Sequence, residues 1–287
     1  MLHRYGMIAR EVVRVEEYQD ISAERLREYM GRHHENEYLL VDVRQPDEYR
    51  QGHIPGAVLI PLGQIPERMD ELPVDRDIIF YCRSGKRSQG AALFTGSRPY
   101  VAGTVFNLVG GILAWEGQVV SGTPDLRAFA LAGTDQEVLL QAMDLERGAE
   151  RFYSAIRQRY SRFPWVDTLA ALAGAEEAHA RLIYRFWAAG QPDPPSFAAV
   201  YSGLAGDLTE GGYSCAVLVA MLETQPFEPC RAMLELALTI EYAAYDLCRN
   251  LAHRFRGQQL EEVFNTIAEA EKEHMELVAR GLALCEV

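Results

Sequence analysis

The sequence predicts two domains of different class. An α/β domain with a parallel sheet and helices on both faces spans residues 1–123, a linker spans 124–134, and an all-α four-helix bundle spans 135–287. Three observations predict this. Short, almost wholly apolar runs such as Tyr38–Val43 (YLLVDV) and Asp77–Tyr81 (DIIFY) alternate with helical segments through the first half, as strands buried on both faces of a parallel sheet do. The second half instead carries apolar residues at helical spacing over long segments. Within it a Glu and a Glu-x-x-His recur 95 residues apart, the mark of a duplicated helix pair.

In chain order, Val12–Val15 reads as a strand, and Ser22 as the cap of a helix with Glu24 in its first turn. The strand Tyr38–Val43 follows, then a helical turn at DEYRQ, a tight turn at HIPGA and a short strand at VLI. Asp77–Tyr81 and Val105–Leu108 are further strands, with helical segments expected at 64–71, 87–96 and 111–117. Ligands of such folds sit at the carboxyl ends of the strands. Cys82 stands there, opening Cys82-Arg83-Ser84-Gly85-Lys86-Arg87-Ser88. Three cations and a glycine follow the thiol and a helix then begins, so the loop N–H groups and the helix start can bind an anion. The same positive field should hold Cys82 as thiolate.

Asp42-Val43-Arg44 with Glu48-Tyr49, Gly52-His53-Ile54-Pro55-Gly56-Ala57, the Cys82 loop, and Asn107-Leu108-Val109-Gly110-Gly111 with Ala114-Trp115 resemble the rhodanese family in that order. The resemblance covers the first half. It implies a sulfurtransferase in which Cys82 takes sulfane sulfur from thiosulfate or a persulfide donor and passes it to a thiol or cyanide acceptor. Arg83, Ser84, Gly85, Lys86, Arg87 and Ser88 would bind the substrate anion. Cysteine phosphatases of similar architecture are the rival, but they carry Arg where Ser88 stands. His53 reads as a structural residue of its turn, and Arg44 as the partner of Glu48.

Ser121–Thr134 gathers Gly, Pro and Ser without a period and serves as the join, with Thr134 or Asp135 capping the next helix. Helices are expected over 136–160, from Pro164 to about Ala189, over 229–255 and over 258–284, with one helical segment near 214–223 inside a long crossover. Gly148 is the one helix-weakening residue in the first of these. Sliding the half on itself by 95 residues lays Glu146, Glu176 and His179 on Glu241, Glu271 and His274. Four carboxylates and two imidazoles inside a bundle would be costly unpaired. Two divalent metals offset them, and a Glu/His donor set suits iron or manganese. Tyr153 and Tyr245 read first as core residues, with a place near the metals as redox or hydrogen-bonding groups as the alternative.

These residues resemble the rubrerythrin-like branch of the ferritin-like superfamily. The resemblance implies a non-haem di-iron centre bridged by Glu176 and Glu271 and completed by Glu146 with His179 and Glu241 with His274. It further implies reduction of peroxide or oxygen, an external electron donor and a homodimer. Two departures weigh against the peroxidase: Ala244 occupies the position of a further ligand carboxylate, and no CxxC pair exists to hold a rubredoxin iron. An iron-binding or sensing bundle without turnover is the alternative.

Charge and cysteine use bound the rest. The net charge of −13 is concentrated in residues 135–287, with 13 Lys+Arg against 23 Asp+Glu, which argues against nucleic-acid binding. No apolar run approaches the roughly 18 residues of a membrane span, and the N-terminus lacks a signal-peptide core. Five scattered cysteines suit a reducing compartment without a disulfide framework, so the chain is expected to be cytoplasmic.

Overall fold

The computed structural model describes residues 17–124, 126–129, 132–223 and 229–286; the expected strand Val12–Val15 lies outside them. The first half is built on five parallel strands, β1 (Gln19–Ile21), β2 (Tyr38–Asp42), β3 (Val58–Leu59), β4 (Asp77–Tyr81) and β5 (Val105–Leu108), in the order β1-β5-β4-β2-β3. Every β2 residue is buried, and so is β4 beyond Asp77, which is why these runs are apolar without alternation. Helices α1 (Ala23–Arg32), α2 (Pro46–Gln51) and α3 (Lys86–Gly96) connect the strands. Ser22 caps α1, its hydroxyl accepting from the Arg25 N–H at 3.3 Å. The helices expected at 64–71 and 111–117 are only short 3₁₀ turns, Leu62–Gln64, Met69–Glu71 and Gly111–Ala114. Pro66 interrupts the first stretch, and Gly110 and Gly111, both at positive φ, open the last.

The second half is helical: α4 (Asp135–Arg159), α5 (Val166–Ala189), α6 (Phe197–Gly203), α7 (Cys215–Glu223), α8 (Cys230–Arg254) and α9 (Gln259–Leu282). Thr134 and Glu137 form a reciprocal capping box at the start of α4. The four long helices pack as the hairpins α4–α5 and α8–α9, and α5 touches α9 across them. Their buried apolar residues form two separate clusters. Along α4 and α9 the first cluster precedes the second, whereas along α5 and α8 the order reverses. So α4 and α9 run one way and α5 and α8 the other, and the parallel α5 and α8 need the long crossover that carries α6 and α7. Between the two clusters the buried polar side chains that each long helix contributes are its Glu or Glu-x-x-His. A polar belt divides the helical core.

Cys230 and Cys285 form a disulfide with Cα atoms 5.6 Å apart, which corrects the expectation of wholly reduced cysteines. Antiparallel packing of α8 and α9 brings residues separated by 55 positions to one end of the hairpin, a proximity that spacing along the chain does not display. Cys82, Cys215 and Cys248 are free and buried. Among the described residues no helix is long and apolar enough to cross a membrane.

The two halves share a buried polar seam, with α8 and α9 seated on the first half. Glu35, fully buried, pairs with Arg249 at 2.7 Å and with Lys272, and accepts from the hydroxyls of Tyr38 and Tyr245 at 3.0 Å each. Asp246 accepts from the Gly56 N–H at 2.7 Å and bonds His53 Nε2 at 3.1 Å. Gly56 has a φ of +78°, and a Cβ there would stand 2.7 Å from the Tyr245 ring. His53 is thus structural, stacked on Tyr49 and tied to the second half. Tyr245 belongs to this seam and not to the polar belt.

Removing one partner of a buried charge network leaves the others uncompensated, at a cost of about 3–5 kcal/mol. Glu35→Ala should therefore lower the urea midpoint of the full chain markedly; an unchanged midpoint would show that the seam contributes nothing to stability.

Candidate functional site

Two sites emerge, one in each half. In the first, β4 delivers Cys82 to the carboxyl edge of the sheet, and the chain turns through Gly85, at φ +88°, into α3. A second loop holds this one in shape: the Ile112 and Leu113 N–H groups donate to the Cys82 and Arg83 carbonyls at 2.8 and 3.2 Å. Glycine is required where the loops interleave, because a Cβ on Gly111 would stand 2.3 Å from the Cys82 carbonyl oxygen.

Cys82 is only 1% exposed, and its sulfur accepts from the Gly85 N–H at 3.2 Å. Burial pushes the thiol up. The Ser88 hydroxyl and the backbone N–H groups of Ser88, Ser84 and Arg87 outweigh it and hold Cys82 below the usual thiol range. The Ser88 hydroxyl has one proton to divide between Asn107 Oδ1 at 2.7 Å and the sulfur at 3.5 Å. Of the other loop residues, Arg83, Ser84 and Lys86 are exposed and Gly85 is buried.

Arg87 does not stand free. It forks onto Glu48 with two 2.7 Å bonds, and this pairing, with the Gln45 N–H, holds the Glu48 carboxyl down at about 2. The expected Arg44–Glu48 pair is not formed. Arg44 instead reaches the fully buried Asp42, two residues back, with bonds of 2.6–3.0 Å. A carboxylate with no exposure must take the nearest guanidinium, which leaves Glu48 to Arg87.

In the second half the belt between the apolar clusters brings together Glu146 on α4, Glu176 and His179 on α5, Glu241 on α8, and Glu271 and His274 on α9. None is more than 7% exposed. The His179 and His274 rings lie stacked, 4.9 Å between centroids. His179 Nδ1 faces oxygens of Glu146, Glu176 and Glu271 at 3.3, 3.4 and 3.3 Å, yet makes no hydrogen bond. His274 Nδ1 stands 3.0 Å from both Glu241 and Glu271 and 4.0 Å from Glu176. Glu176, His179, Glu271 and His274 each place one ligand atom within 4.8 Å of the others, a group that could hold a metal ion.

Burial is the largest single influence on each group of the belt, but at Glu271 and the two histidines the neighbours together overturn it. It lifts Glu146 to about 7 despite His179, and Glu176, beside Glu271, to about 8. Glu271 is also buried, but the two histidines outweigh that and hold its carboxyl low. Burial works against a charge on His274, whereas Glu241 and Glu271 hold the imidazole up at about 11. The Tyr153 hydroxyl donates to Glu241, so this tyrosine touches the belt as well as the core. Ala244 is buried and offers no donor. Glu150 and Glu177 lie outside the belt on Ser154 and Arg181.

The belt has a member that sequence reasoning missed. Glu210, from the crossover between α6 and α7, is 5% exposed, and an oxygen of it lies within 4.8 Å of oxygens of Glu146 and Glu176. It has no counterpart in the 95-residue repeat. Its one signal is an isolated Glu within a Gly-rich stretch, which by itself says nothing.

Because Cys82 is held low while Cys215 is pushed up to about 11 and Cys248 well above the thiol range, one thiolate should dominate near neutrality. The ultraviolet thiolate absorbance lost in Cys82→Ser should titrate below the ordinary thiol range, and Ser88→Ala should move that step upward. A step at or above pH 8.5 in the native protein would contradict the assignment.

Comparison with known proteins bears on the first half. A family model described as "Rhodanese-like domain" matches residues 22–118. A protein of Allochromatium vinosum named "Sulfurtransferase" is 52% identical over 77 residues, covering 27% of this chain and 70% of its own. The protein of Pseudoalteromonas translucida named "Thiosulfate sulfurtransferase GlpE" is 36% identical over 78 residues, covering 27% and 72%. Among solved structures, a rhodanese-like domain protein of Staphylococcus aureus is 24% identical with a TM-score of 0.33, over 37% of this chain and 99% of that one. The chain belongs to the rhodanese-like family, through a domain at residues 22–118.

Proposed function

We propose that the protein is a sulfurtransferase that carries sulfur as a Cys82 persulfide, fused to a ferritin-like four-helix bundle that holds two divalent metal ions. The sulfur half rests on a single observation: Cys82 lies at a strand end beneath a helix start, with N–H groups and a hydroxyl turned toward its sulfur. With thiosulfate as donor, the thiolate attacks the outer sulfur and the S–S bond breaks, its electron pair leaving with sulfite. A cyanide or thiol acceptor then attacks the outer persulfide sulfur, and the pair of that S–S bond returns to Cys82 as thiolate. The loop N–H groups that stabilise the thiolate also stabilise the persulfide anion, while Arg83 and Lys86, exposed at the loop, offer charge to the incoming dianion.

The metal half is supported by its orphaned donors. Glu146 Oε2 and His179 Nδ1 are buried without a hydrogen-bond partner although oppositely polar groups crowd them. A bound cation would satisfy such atoms, and the Glu/His donor set fits iron or manganese. Glu176 and Glu271 each approach both histidines and would bridge; Glu146 with His179 and Glu241 with His274 would complete the two sites. Iron held there would supply redox chemistry for reduction of peroxide or oxygen, the electrons coming from an external donor or from oxidation of persulfide sulfur in the first half. Tyr153 fixes the orientation of Glu241 through its hydroxyl.

Purified full chain should form thiocyanate from thiosulfate and cyanide, and Cys82→Ser should abolish it. Elemental analysis of protein purified without chelator should find about two iron or manganese ions per chain; zinc alone, or no metal, overturns the dimetal centre and leaves sulfur transfer standing. Peroxide consumption that is the same with and without a sulfur donor, in wild type and in Cys82→Ser, would sink any coupling of the two halves.

A further inference from the structure

We infer that Glu210, delivered by the crossover, is a seventh protein ligand of the dimetal centre, serving the metal held by Glu146, Glu176 and His179. This rests on the dimetal reading and adds to it a ligand from outside the four long helices.

Three observations converge. Both Glu210 oxygens are buried and neither has a hydrogen-bond partner. The same is true of Glu146 Oε2 and His179 Nδ1, so the orphaned atoms of the belt are gathered on one side of it. On the other side, Glu241 is bonded by Tyr153 and His274, and Glu271 by His274. A third buried carboxylate beside Glu146 and Glu176, without a hydrogen-bond partner, must either take up a proton or share a cation with the other two, and a shared cation also satisfies the orphaned atoms.

The crossover is also built to present this residue. Leu208 and Ser214 pair as an antiparallel bridge, and the Thr209 N–H donates to the Tyr213 carbonyl at 3.0 Å, which makes a tight hairpin with Glu210 at its turn. The hairpin is fastened to α4 at several points. Arg151 binds the carbonyls of Ala205 and Gly206, Asp144 accepts from the Gly206 N–H at 3.0 Å, and the Cys215 thiol donates to the Gly148 carbonyl at 3.3 Å.

Gly148 explains itself here. Glycine weakens a helix interior, yet it sits in the middle of α4. A Cβ at this position would stand 1.9 Å from the Leu208 carbonyl oxygen. The missing side chain is what lets the hairpin lie close enough on α4 for Glu210 to enter the belt between Glu146 and Glu176. On this account α4 gives up helix stability at one residue to admit a ligand from the crossover.

The test is Mn(II) titration of the chelator-stripped full chain, reading free Mn(II) by electron paramagnetic resonance. Wild type should bind about two ions. Glu210→Gln, which keeps the size of the side chain, should retain one site and weaken the other by about 10- to 100-fold or more, since even an outer partner of a ligand is worth that much. Gly148→Ala, with Glu210 intact, should weaken the same site by displacing the hairpin. Thermal melts give a readout free of metal: apo Glu210→Gln should melt above apo wild type, because an unpaired buried carboxylate is gone, and should gain less from Mn(II). Two sites of unchanged affinity in Glu210→Gln overturn the inference and leave the dimetal centre intact. No Mn(II) or Fe(II) binding by wild type overturns both.

Discussion

The helical half is organised around a constraint that apolar packing cannot meet: five buried carboxylates and two imidazoles cross its core in one layer. Each carboxylate has lost its hydration, and burial lifts Glu146 and Glu176 toward neutrality. The apolar clusters above and below must hold the four helices in register against this layer, and they are the larger part of the helical interior. On the proposed dimetal reading, bound cations would complete the stability of a core that keeps such a belt. The short 95-residue repeat, the reversed order of the clusters along neighbouring helices and the long crossover are all consequences of bringing two copies of one donor pattern face to face.

The Cys82 loop solves the opposite problem. There a single anion is wanted and must be kept charged near neutrality. Backbone N–H groups and one hydroxyl lead in this at fixed positions, with the half-buried Arg87 also near the sulfur. The cations that sequence alone credits with the effect are partly engaged elsewhere: Arg87 is forked onto Glu48, and Arg83 and Lys86 remain at the surface. The loop is stiffened from below by the glycine pair at 110 and 111, so its geometry is set before a donor arrives.

The two halves are joined through α8 and α9, the same helices that supply Glu241, Glu271 and His274. One face of α8 carries Glu241 into the belt, while Tyr245, Asp246 and Arg249 enter the seam with His53, Gly56 and Glu35. The Gly52–Ala57 motif that marks the first half in sequence is therefore also its docking element.

Much of this was legible in the sequence because it is local or periodic. Buried parallel strands are apolar on both faces, so β2 and β4 announce themselves; a thiol followed by Gly, cations and a helix start announces an anion loop. The register of Glu146, Glu176 and His179 with Glu241, Glu271 and His274 needs only helical geometry and the repeat. What the tertiary structure decided are the pairings that depend on which surfaces meet. Asp42 claims Arg44 because it is buried nearer than Glu48. Cys230 meets Cys285 because α8 and α9 run antiparallel. Tyr245 leaves the belt for the seam. Glu210 enters the belt because Gly148 lets a hairpin approach a helix, and no periodicity links a loop carboxylate to a glycine 62 residues before it.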